Sequence, residues 1–144
     1  MRLSRLVFLM ILAFSLLPST FAQTGGAEAV FRNQLVDLHS KAVATLDRIE
    51  KAGPRGVPRQ PTRDEIFALV RLLHRLEEEA ATTNLQFMQR GQPSNKTLLM
   101  VQQAAKAIDG MLTALDNYVE SEDRAFLGFA RDNNALAWSV RKVM

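Results

Sequence analysis

The chain has 144 residues, 47% hydrophobic and 23% charged, with a formal charge of +3 and no cysteine. This composition suits one small domain built around a hydrophobic core. The lack of Cys excludes disulfide frameworks, thiolate metal sites, covalent c-type haem attachment, a Cys nucleophile and lipid anchoring through an N-terminal Cys.

The first 22 residues have the three parts of a secretory signal. Arg2 and Arg5 give a basic start, Val7 to Leu17 is an apolar or small run ended by Pro18, and Thr20-Phe21-Ala22 offers small residues before Gln23. A cleavable signal peptide over 1–22 is therefore expected, with a periplasmic or secreted location. The run is shorter than the roughly 20 apolar residues of a spanning helix, so no stable membrane span is expected after processing. Processing removes two Arg and no acid, so 18 basic and 15 acidic residues become 16 and 15. Those charges are interspersed along the chain, which argues against nucleic acid as a partner.

Residues 23–27 contain Gly25-Gly26 and read as a flexible leader to a helical domain over 28–144. The first helix is expected over about 28–51, with Phe31, Leu35, Leu38, Ala42, Leu46 and Ile49 on one face. Three Pro and two Gly between Gly53 and Pro61 then interrupt regular structure. Thr62-Arg63-Asp64-Glu65 has the capping-box form and predicts a second helix over about 63–90. Its inward residues are Ile66, Leu69, Val70, Leu73, Leu76, Ala80, Phe87 and Met88, and Gly91 and Pro93 close it.

Ser94 or Asn95 can cap a third helix over about 96–120, whose inward row is Leu98, Val101, Ala105, Ile108, Leu112, Leu115 and Val119. A fourth is expected over about 122–143, with Phe126, Phe129, Leu136, Val140 and Val143 inward and Asn133 the one polar residue of that row. No Gly or Pro separates the last two, so one long helix over 96–143 is the alternative. Ser121 before Glu122-Asp123 nevertheless marks a new helix start, because a cap and two acids favour an N-terminus. Four segments of matched length predict an all-α fold, an antiparallel up-down-up-down four-helix bundle.

Few residues suggest chemistry. Ser40, His39 and Asp37 cannot converge as a triad from adjacent helical positions, there is no Gly-rich phosphate loop, and the inward rows are almost wholly apolar, so no enzyme is expected. If Lys51 faces Arg63, counting back along both helices sets His39 level with Arg75, beside His74. Two such imidazoles are the candidate ligands for a metal or haem, although the Glu-x-x-His pairs of di-iron bundles are absent. Met100, Ala104, Ala107, Met111 and Tyr118 line one flank of the third helix, where an adaptable Met and small Ala residues suit an apolar ligand pocket. In the fourth helix Leu127 and Trp138 point together away from the expected core row, near Arg131 and Arg141. An aromatic anchor in a basic surround is the composition of a protein interface.

Asn95-Lys96-Thr97 matches the N-glycosylation sequon, but the cap explains Asn95 without a glycan. The leading expectation is an exported non-enzymatic bundle that binds another protein or itself through the last helix, without a cofactor. The alternative is a carrier or sensor for a small apolar ligand, haem or metal.

Overall fold

A computed structural model describes the backbone of residues 19–144, with side chains from Gly26 onward. The apolar run of the expected signal lies outside the described residues. The chain divides into two compact units between Val30 and Phe31. In the first, the described backbone is helical. Residues 23–27, expected as a leader, thus carry helical backbone; Gly25-Gly26 weakens a helix by about 1 kcal/mol per residue relative to Ala without forbidding it.

The fold is all-helical, with helices α1 (Ser19–Ala52), α2 (Arg59–Gln89), α3 (Lys96–Ser121) and α4 (Arg124–Val143), and there is no strand among the described residues. This arrangement accords with a four-helix bundle. None of these helices is long and apolar enough to cross a membrane.

The inward row expected for α1 is buried throughout, from Phe31 to Ile49. The helix stops at Gly53, whose φ of 74° is a left-handed conformation that only glycine adopts cheaply. Its N–H donates to the Ile49 carbonyl at 2.8 Å.

α2 departs from expectation at its start. It begins at Arg59, and the Thr62 N–H already donates to the Pro58 carbonyl at 3.0 Å. Thr62 is therefore inside the helix and buried rather than its cap. The capping box fails because Pro61 does not terminate anything: a residue in the first turn has no intrahelical use for its N–H, so proline is harmless there. Glu65, freed from capping, accepts from Thr45 Oγ1 at 3.1 Å and pairs with Arg48, tying α2 to α1. The inward row holds for Ile66, Leu69, Leu73, Leu76, Ala80 and Phe87, whereas Met88 is exposed and Val70 is half-buried.

The C-terminus of α2 is a double turn around Gly91 at φ 78°. Gly91 N–H donates to the Met88 carbonyl and Gln92 N–H to the Phe87 carbonyl, both at 3.0 Å, the Schellman pattern. Asn84 anchors the connection to α3. Its buried amide donates to Ser94 Oγ at 3.1 Å and accepts from the Asn95 N–H at 2.6 Å, while Asn95 Oδ1 caps α3 by accepting from the Leu98 N–H at 3.0 Å. Replacing Asn84 by Ala leaves the Asn95 N–H without that acceptor. A loss of about 1–2 kcal/mol in urea unfolding is expected.

α3 buries every residue of its expected row and also Ala104, Ala107, Met111, Ala114 and Tyr118. It meets α2 through a bidentate pair: Arg63 Nε to Asp116 Oδ1 at 2.7 Å and Nη2 to Oδ2 at 3.1 Å, with Asp116 nearly buried. Both the hydrogen bonds and the charge of Asp116 raise the Arg63 pKa above its ordinary value, the hydrogen bonds contributing more. Lys106 to Glu77 and His74 to Asp109 continue the same seam at 3.4 and 2.9 Å.

The α3–α4 break falls where expected but is built differently. Glu122 takes the left-handed conformation at φ 62° and donates its N–H to the Tyr118 carbonyl at 2.8 Å. Asp123, not Ser121, is the cap, with Oδ1 accepting from the Ala125 N–H at 2.9 Å. Ser121 instead donates back to the Asn117 carbonyl at 2.7 Å and so closes α3.

Candidate interaction face on the last helix

α4 turns inward a face shifted round from that read in the sequence: of the expected row, Phe126, Asn133 and Val140 are half-buried. Its buried residues are Ala130 and Ala137. Phe129, Leu136 and Val143, expected inside, are 56%, 55% and 69% exposed. The reason lies on α3, which already fills the interior with Leu98, Val101, Ile108, Met111, Leu112 and Leu115, all fully buried. What remains for α4 is a shallow site that only small side chains fit. Gly110 marks the close approach: a Cβ there would lie 2.7 Å from Asn133 Oδ1. Asn133, noted in the sequence as the polar member of the inward row, thus rests against Gly110 and donates to the Phe129 carbonyl at 2.9 Å.

The other flank of α4 is latched to α1 by His39, which is completely buried. Asn134 Oδ1 lies 2.7 Å from Nε2, and Arg141 Nη1 lies 2.9 Å from Nδ1. A guanidinium can only donate, so Nδ1 is the acceptor and Nε2 carries the proton. The imidazole is neutral in this arrangement. Trp138 packs on it with ring centroids 4.9 Å apart, and Arg141 lies 4.3 Å over the Trp138 ring, a cation–π contact. Burial first, and then the charge of Arg141, push the His39 pKa below its usual value against the opposing effect of the Asn134 bond. Burial likewise lowers the Arg141 pKa.

The four residues proposed from sequence as an interface are distributed unequally. Arg141 is committed to His39 and Trp138, and Arg131 pairs with Glu50 on α1. Trp138 keeps 43% of its surface exposed despite its tilted contact with His39, and Leu127 is half-buried. The larger accessible apolar surface is instead the stripe Phe129, Leu136 and Val143, seven residues apart on one line of the helix. Phe129 also touches the half-buried Phe126 edge-on at 6.3 Å.

The two imidazoles have no partner in common. His39 reaches α4, with both nitrogens engaged, while His74 is exposed and bonds Asp109 on α3, which raises its pKa. Among the described residues no group of three or more His, Asp or Glu could hold a metal. Met100 is half-buried, and Ala104, Ala107, Met111 and Tyr118 are buried in the packing of α3. A cleft of about 360 Å³ lies elsewhere, between α1 and α2, lined by Leu38, Leu72 and Leu76 together with Asp37, Lys41, Arg75 and Glu79.

Sequence reasoning missed Asn134 and Gly110. A signal for Asn134 was available: Ala130, Asn134, Ala137 and Arg141 alternate at four and three residues, an inward row hidden by its low hydropathy. No protein family, curated protein or solved structure matches the chain.

Proposed function

We propose that this is an exported, non-enzymatic, antiparallel up-down-up-down bundle that acts by binding an apolar helical face through the outer stripe of α4. The observation that carries this reading is the exposure of Phe129, Leu136 and Val143 on one line while Ala130 and Ala137 occupy the interior. A protein domain ordinarily keeps its large apolar side chains inside, and an aligned exposed row of them on one helix favours a partner. Trp138, packed against His39 and Arg141 on the opposite flank of α4, lies outside this stripe. Export rests on the signal-like residues 1–22, and the intact mass of the protein from its own cells is expected to begin at Gln23; a mass beginning at Met1 would remove export from the reading.

The surface is tested by placing a photo-reactive side chain at Leu136 and, as a control, at the exposed Thr113 on α3. Irradiation in the producing cells is expected to give a discrete cross-linked product from position 136 that disappears on Phe129→Lys. No product from 136, or equal products from both positions, refutes the reading.

A further inference from the structure

We infer that the partner seated on this stripe is a second copy of the chain, with the two α4 helices antiparallel about a two-fold axis at Leu136. The inference rests on the interaction reading above and adds the identity of the partner.

The stripe is symmetric in sequence. Phe129 and Val143 each lie seven residues from Leu136, the spacing of a coiled-coil seam. A two-fold axis at Leu136 sets that residue against its own copy and each Phe129 against the partner's Val143, so a large ring meets a smaller side chain in both halves. One patch then serves both protomers, as an isologous interface requires.

The charges choose the direction. Asp132 and Lys142 are exposed, and neither has an ion pair among the described residues. At 100° per residue both fall on the same side of the stripe, the side away from Asn133 and α3. Asp132 precedes Leu136 by four residues and Lys142 follows it by six. Antiparallel pairing therefore brings each Asp132 within about two residues, or roughly 3 Å along the axis, of the partner's Lys142, an offset that a lysine stem spans. Parallel pairing would instead bring Asp132, about 40° from the stripe, towards its own copy across the seam and leave Lys142 without an acidic partner, which is unfavourable. Ala125, Gly128, Ala135 and Ser139, which lie between the stripe and Lys142, are small and leave that flank open to the lysine stem.

Three apolar side chains from each protomer make a small contact, so dissociation in the range of about 10–100 µM is expected. Sedimentation equilibrium of the purified protein is expected to show a monomer–dimer equilibrium. Leu136→Lys should weaken it by about 30-fold or more, as for a central contact. Asp132→Lys should weaken it about 2- to 5-fold, and adding Lys142→Asp should restore it.

Because the chain has no cysteine, geometry can be read by disulfide formation. Under mild oxidation Leu136→Cys is expected to link to itself about 10-fold faster than the exposed control Thr113→Cys. A mixture of Phe129→Cys and Val143→Cys is expected to give the mixed product, and Phe129→Cys alone is not. Rapid self-linking of Phe129→Cys, or a monomer at all concentrations up to about 1 mM, overturns the proposal. If the protein is monomeric while position 136 still cross-links to a different chain in cells, the second copy is refuted and the interaction reading stands; if both fail, both fall.

Discussion

Ala137→Leu is expected to destabilise the protein by about 3 kcal/mol, while Leu136→Lys, one residue away, changes stability by about 0.5 kcal/mol or less. The contrast arises from the facing of α4. Ala137 is completely buried against a neighbour whose own side chains fill the interior, so added methylenes have no space and must push α4 off α3 or α1. Leu136 projects away from the core, and a lysine there keeps its charge in water. If the inward row read from hydropathy were the true one, the order would reverse, with a buried Lys unfolding the domain. Urea unfolding of both variants, followed by helicity and at a protein concentration too low for association, separates the alternatives. For a domain of this size the Ala137→Leu loss corresponds to a midpoint lower by about 10 °C.

The second large effect belongs to His39. Removing its ring by His39→Ala is expected to cost about 3 kcal/mol, combining a cavity with the loss of partners for Asn134 and Arg141. The same residue sets an acid limit on stability. Its pKa is lowered in the folded state by burial and by Arg141, so between the usual value of about 6.5 and the folded value the unfolded chain binds the extra proton. The His39 contribution is complete above about pH 6.5 and is lost as the pH falls through the folded pKa. Protonation places an imidazolium against the Arg141 guanidinium and removes the Nδ1 acceptor, which loosens α4 from α1. His74 works in the opposite sense: Asp109 raises its pKa, so its smaller, solvent-screened contribution is present below about pH 6.5 and fades as the pH rises through its folded value. Stability measured against pH should therefore lose its acid slope in His39→Asn and its alkaline-side slope in His74→Asn. An unchanged acid slope in the His39 variant would refute the assignment.

Much of α1 and α3 was legible in the sequence because each carries its large aliphatic side chains on a single face, so hydropathy and burial coincide. The same logic misread α4, where Phe129, Leu136 and Val143 form the strongest apolar row. Which face of a helix turns inward depends on the space its neighbours leave. Gly110 and the crowded interior of α3 leave room for alanine. Local chemistry failed at Thr62 for a related reason: the backbone of Pro58 reaches its N–H first, and Glu65 finds better partners on α1. The His39 site was partly visible as an imidazole at the edge of an apolar stripe. Its partners were harder to read, since Asn134 and Arg141 lie 95 and 102 residues away along the chain and the row they form with Ala130 and Ala137 is too polar to stand out by hydropathy.

The stacking of Trp138 on His39 has a practical consequence. It is the sole tryptophan of the chain, so the intrinsic fluorescence of the protein comes chiefly from one indole in contact with both the imidazole that gains a proton and the guanidinium bonded to it. A protonated imidazole quenches an adjacent indole, whereas undocking of α4 would release the ring to water and shift its emission to the red. Intensity and wavelength would then report two separate events, charging of the latch and departure of the helix, in one unlabelled sample.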